Sequence, residues 1–97
     1  MSARTVVEDT AVSIELDKLR KRFPRFDDIW DAWTWRLCRG PEIDAVKIPE
    51  TDPQSYLIKL PDLSVYNFPL ELTILYQFSD DEVVILAVRV LEAASHM

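Results

Sequence analysis

From Leu70 to Phe78 the chain alternates without interruption, with Leu70, Leu72, Ile74, Tyr76 and Phe78 on one side and Glu71, Thr73, Leu75 and Gln77 on the other. Successive side chains of an extended backbone point to opposite faces, so this period of two predicts a strand with one better-buried face. Ser79, Asp80 and Asp81 supply turn residues. Glu82 then leads into Val83 to Val90, where both faces are apolar apart from Arg89. A strand of that kind belongs inside a sheet, paired on both edges. Leu70 to Val90 is therefore expected to form a buried antiparallel hairpin, each buried Val, Ile or Leu contributing about 1.5–3 kcal/mol of transfer free energy before chain entropy is subtracted.

The rest of the chain must cover that hairpin. Arg4 to Glu8, with Val6 and Val7, reads as a short strand, and Asp9 or Thr10 can cap a following helix. Val12, Leu16, Leu19 and Phe23 follow one helical stripe over about residues 11 to 22, and Pro24 ends it. Asp27 and Asp28 favour a second helix start, after which Phe26, Trp30, Trp33 and Leu37 share a face with Ile29 at its margin, until Gly40 and Pro41 stop the element. Trp35 lies roughly 140° from Trp30 on that helix. Its indole belongs either to a second layer of core or to a surface that anchors a partner or a second copy. Gly40 to Ser55, with Pro41, Pro49 and Pro53, reads as a connecting loop. Tyr56 to Leu60 alternates as a strand, and Pro61 to Pro69 forms the next connection.

These elements predict an α+β fold: a short N-terminal strand, a two-helix hairpin, then three antiparallel strands in one small sheet. Ninety-seven residues with 48% hydrophobic composition suit a single domain over 1–97. Residues from about 92 to 97 are expected to be a disordered tail, and Ser95-His96-Met97 has the look of vector-derived sequence. The longest apolar run, Val83 to Val88, is far short of the roughly 20 residues that span a bilayer, and no secretory signal follows the N-terminus, so the expected location is cytoplasmic.

Several chemistries lack their parts. The one cysteine, Cys38, can form no internal disulfide and offers no thiolate pair for zinc. The one glycine, Gly40, sits where a helix should end, which excludes a glycine-rich phosphate loop. The one histidine, His96, is terminal, so Ser or Cys nucleophilic catalysis has no placed base. Asp27, Asp28 and Asp31, and likewise Asp80, Asp81 and Glu82, read as cap and turn residues and match no calcium loop, and no metal or other cofactor is expected. The net charge of −6 argues against a broad nucleic-acid surface. Residues 1–48 balance nine Lys/Arg against nine Asp/Glu, whereas residues 49–97 set only Lys59 and Arg89 against eight acids. The cluster Lys18, Arg20, Lys21, Arg22 and Arg25 could bind an anion or RNA, but cations in a last turn also complement the helix dipole.

The order of strand, two helices and three strands resembles the RelE/ParE superfamily of toxin–antitoxin toxins. The stretch LELTILYQFSDDEVVILAVRV looks like that family's last paired strands with their acidic turn, and EDTAVSIELDKL is similar to its opening helix. The resemblance covers residues 4 to 91 and implies a cytoplasmic module that binds an antitoxin-like protein or peptide; the far-side position of Trp35 adds, on helix geometry alone, a candidate contact to a partner or to a second copy in a homodimer. It also implies an alternative, a ribosome-dependent mRNA endonuclease in which Lys59 and Arg89 contact phosphates and Tyr76 assists proton transfer. A third reading is a non-catalytic regulatory interaction module. The chain departs from the family where nuclease members often carry cations: Thr73 stands three residues before Tyr76, and Leu91, Glu92 and Ala93 follow the last strand. Charge neutralisation at a scissile phosphate needs cations or strong donors, so these unmatched positions weigh against ribonuclease activity and leave open whether the chain is an enzyme.

Overall fold

A computed structural model describes residues 4–42, 44–60, 63 and 70–92. Most of the Pro61–Pro69 connection, the tail beyond Glu92 and His96 lie outside the described residues. The fold is α+β, two helices with a five-stranded mixed sheet.

Strand β1 (Thr5–Glu8) leads directly into helix α1 (Thr10–Arg22). The turn between them is held by Asp9, whose carboxylate accepts the Val12 backbone N–H at 2.9 Å. That bond satisfies one of the orphan donors of the first turn. Helix α2 (Phe26–Arg39) follows after Phe23-Pro24-Arg25. Its first turn carries Asp27 and Asp28, where the helix dipole favours negative charge, and the N-cap residue Arg25 makes no capping bond with its own side chain.

Strand β2 (Val46–Ile48) comes next, then β3 (Ser55–Leu60), β4 (Leu70–Phe78) and β5 (Glu82–Glu92). The sheet order is β1-β5-β4-β3-β2. β1 runs parallel to β5, and the other neighbours are antiparallel. β5 is thus an interior strand paired on both edges, as its two apolar faces require. β2 corrects the reading of Gly40 to Ser55 as loop throughout: Val46, Lys47 and Ile48 pair with Leu57, Tyr56 and Ser55. Three residues between prolines carry too little periodicity to show in the sequence.

The helices cover one face of the sheet. Val12, Leu16 and Leu19 from α1 and Phe26, Ile29, Trp30, Leu37 and Cys38 from α2 pack with Tyr56, Ile58, Leu60, Leu72, Ile74, Tyr76, Val83, Ile85 and Val88, with Leu63 in the same cluster. These are the alternate positions of β3 and β4, so the sequence period and the burial coincide. Tyr76 is fully buried, stacks on Tyr56 at 5.9 Å and donates its hydroxyl to the Pro41 carbonyl. The half-buried Glu8 carboxylate accepts the Trp30 indole N–H at 3.0 Å and the Ser13 hydroxyl at 3.4 Å, joining β1 to both helices. Arg4 donates to the Ser79 and Cys38 carbonyls and stacks on Phe78, pinning the hairpin turn to the end of α2.

β4 and β5 lose register once. Leu75 pairs with Ala87 and Tyr76 with Ile85, so Leu86 is an extra residue. A bulge there bends the strand and adds local twist. Without it, the period of two would send Val88 away from the helices; with it, Ile85 and Val88 both reach the core.

Candidate functional site

The second face of the sheet carries no covering layer among the described residues. It is made by the positions that alternate with the core: Leu57 and Lys59 on β3, Thr73 and Leu75 on β4, Ala87, Arg89 and Leu91 on β5. Together they line a shallow trough of about 330 Å³. Register fixes its two rows. Leu57, Leu75 and Ala87 lie side by side as an apolar floor, and Lys59, Thr73 and Arg89 lie side by side as a polar row. Neighbouring strands are about 4.8 Å apart, so the Lys59 and Arg89 backbones stand roughly 10 Å apart with the Thr73 hydroxyl between them. Leu91 is 55% exposed and extends the apolar surface past the cations. At the other end, Gln77 donates its amide to the Ser55 hydroxyl and the Pro53 carbonyl and closes the trough with fixed polar groups.

Lys59 and Arg89 are both exposed, and neither forms an ion pair among the described residues. The two cations of the acidic half of the chain therefore meet on one face. Sequence reasoning named both as site residues, but it did not assign Leu57, Thr73, Leu75 or Ala87 to a site. Their signal was the minor face of the same alternation, which is partly buried because neighbouring strands shield it.

Tyr76 is not part of this constellation. It points to the helix side of the sheet, and its ring and hydroxyl are enclosed. Burial, with smaller effects from Tyr56 and Glu42, pushes its pKa up to about 12. A phenol held neutral with its proton committed to Pro41 cannot exchange protons with a group lying against Lys59 and Arg89. Cys38 is buried at the end of α2, and burial raises its thiol pKa, so it is held as a neutral packing residue.

Trp35 is on the opposite side of the molecule from the trough. Its indole is 61% exposed on the outward side of α2, and the Arg39 guanidinium lies 4.0 Å above the ring. The indole is therefore at the surface and not in a second layer of core.

Of the five cations near the end of α1, three hold ion pairs with neighbouring acids. In the basic stretch near the end of α1, Arg20 meets Asp27 at 2.5 Å and Asp17 at 2.9 Å, Lys18 meets Glu15 at 4.0 Å, and Arg25 meets Asp28 at 3.1 Å. Interleaved acids leave little net positive field for an RNA backbone. No group of His, Cys, Asp and Glu suited to a metal ion occurs among the described residues. No described helix is long and apolar enough to cross a membrane.

No protein-family model, curated protein or solved structure matches this chain.

Proposed function

We propose that this chain is a RelE/ParE-like protein of a bacterial toxin–antitoxin-type module, acting in the cytoplasm mainly by protein binding, and that the uncovered sheet face is its binding surface. The occupant is an amphipathic segment of an antitoxin-like partner, with apolar side chains for the Leu57–Leu75–Ala87 floor and carboxylates for Lys59 and Arg89. One observation carries this reading: the cations of the acidic half, Lys59 and Arg89, flank an apolar trough on a sheet face that nothing described covers. Apolar contact supplies area, and complementary charge sets register and speeds encounter.

Co-expression with the small protein encoded by the neighbouring reading frame tests it. A complex should co-purify with the wild-type chain, and Leu75→Lys and Arg89→Glu should each weaken it by about tenfold or more, which is about 1.4 kcal/mol. A complex unaffected by both substitutions contradicts the assignment.

The Lys59–Thr73–Arg89 row favours a second reading, a ribosome-dependent mRNA endonuclease, because two cations about a hydroxyl could hold successive phosphates. Induced expression should then arrest growth and cut mRNA on ribosomes, with Arg89→Ala abolishing both. Tyr76→Phe should leave cleavage intact, since that ring lies on the other side of the sheet. Folded protein without cleavage removes this reading.

A further inference from the structure

Helix α2 has a second organised surface that the sheet face does not use. It buries Phe26, Ile29, Trp30, Leu37 and Cys38, and at 100° per residue Trp35 falls on the far side. Asp28, Asp31, Ala32 and Arg39 all lie within about 60° of Trp35 around the helix axis, and all five residues are exposed. The stripe is acidic at its N-terminal end, basic at its C-terminal end, and carries a small residue beside an indole in between.

We propose that this stripe is an isologous contact in which α2 packs antiparallel against α2 of a second copy of this chain. A two-fold axis requires one surface to be complementary to itself. The register that sets Ala32 opposite Trp35 of the second copy has its midpoint between Trp33 and Thr34, and the same midpoint sets Asp28 opposite Arg39. The large indole meets the small methyl side chain and Asp28 meets Arg39, each twice over by symmetry. Parallel packing would instead set Asp28 on Asp28 and Arg39 on Arg39, which like-charge repulsion disfavours.

Little has to be broken to make the contact. Arg39 lies over Trp35, and Asp28 holds the exposed Arg25 at 3.1 Å; surface pairs of this kind exchange at small cost. Arg39 can keep its place on the indole while its free N–H groups reach the second copy. Ile14, 52% exposed on the outward side of α1, adds an apolar residue to the same helical layer. A helix of 14 residues spans only about 21 Å. The contact is smaller than the roughly 1,200–2,000 Å² of a stable interface, and the net charge of −6 on each copy opposes it. The dimer is therefore weak, concentration-dependent and sensitive to salt.

Sedimentation equilibrium of the full chain over about 10 µM to about 1 mM tests it. The wild type should move toward dimer mass across that range, and Trp35→Ala should weaken association about tenfold or more. Asp28→Arg and Arg39→Asp should each remain monomeric alone, while their equimolar mixture should dimerise, because both like-charged contacts become opposite-charged ones. Far-ultraviolet circular dichroism establishes that each variant is folded. Should Asp28→Arg fail to fold, Asp28→Asn takes its place and should weaken the dimer by roughly threefold or more. A wild type that stays monomeric throughout, a dimer indifferent to Trp35→Ala, a mixture no tighter than either charge variant alone, or an Asp28→Asn chain that dimerises like the wild type would overturn the proposal.

Discussion

The two faces of the sheet are built from the same strands and do different work. On the helix side, Leu72, Ile74 and Tyr76 are completely buried. On the other side, Thr73 and Leu75, their neighbours in sequence, are only half-buried, and Lys59 and Arg89 are exposed. A single strand therefore carries alternating instructions: even positions of β4 hold the fold together, and odd positions form a surface. The contrast shows why an apolar residue in a strand is not automatically core. Leu75 is as hydrophobic as Leu72, but only one of them has a helix over it.

Substitutions in pairs across the strand can break that contrast, and the largest effect belongs to the buried member. Ile74→Ala should lose about 2–5 kcal/mol of stability in urea denaturation, because the close-packed helix layer cannot collapse into the space. Leu75→Ala, one residue away, should cost about 1 kcal/mol or less. Equal losses would mean that the second face is covered after all.

Tyr76→Phe should cost about 1–3 kcal/mol, leaving the buried Pro41 carbonyl without its donor. It also carries a pH signature. The Tyr76 pKa is raised from 10.0 to about 12 in the folded chain. Between those values the unfolded chain binds fewer protons than the native one, so stability falls as pH rises from about 10 to about 12. Tyr76→Phe should flatten the part of that decline due to this residue, as followed by denaturation at pH values across the window. A decline of unchanged steepness would place the ionising group elsewhere.

The cap at Asp9 should give a smaller effect. Asp9→Ala removes the acceptor for Val12 and should cost about 1 kcal/mol, with Asp9→Asn recovering most of it. The smallest effect is expected from Lys59→Ala, an exposed residue without an ion pair among the described residues, which should change stability by less than about 0.5 kcal/mol. Its effect should appear in partner binding.

Much of this division was legible beforehand. The β4 alternation named the buried side, and the doubly apolar run of β5 placed that strand inside the sheet, because side-chain direction follows from backbone geometry alone. The stop at Pro24 followed from an equally local rule, whereas the choice of Asp9 over Thr10 as cap and of surface over core for Trp35 needed the structure. β2 was not legible, since Val46 to Ile48 becomes a strand only by pairing with Ser55 to Leu57. The Leu86 bulge was hidden too: it resets the face of every later residue of β5 without leaving a glycine or proline as a mark. For the site, Lys59 and Arg89 stood out as the isolated cations of an acidic stretch, yet their shared row depends on β3–β4 and β4–β5 registers set by tertiary pairing. Tyr76 was drawn into the nuclease alternative by its place near the end of a strand. Its parity in the alternation puts it on the helix side.

The central claim, that the uncovered face binds while the helix-covered face holds the fold, is tested most directly by nuclear magnetic resonance. The amide spectrum of the isotope-labelled chain would be compared with and without the small protein encoded beside it. The largest shifts should fall on Leu57, Lys59, Thr73, Leu75, Ala87 and Arg89, with Val12, Leu16 and Ile29 little changed. Shifts centred on the helices, or a spectrum unaltered by the partner, would contradict it.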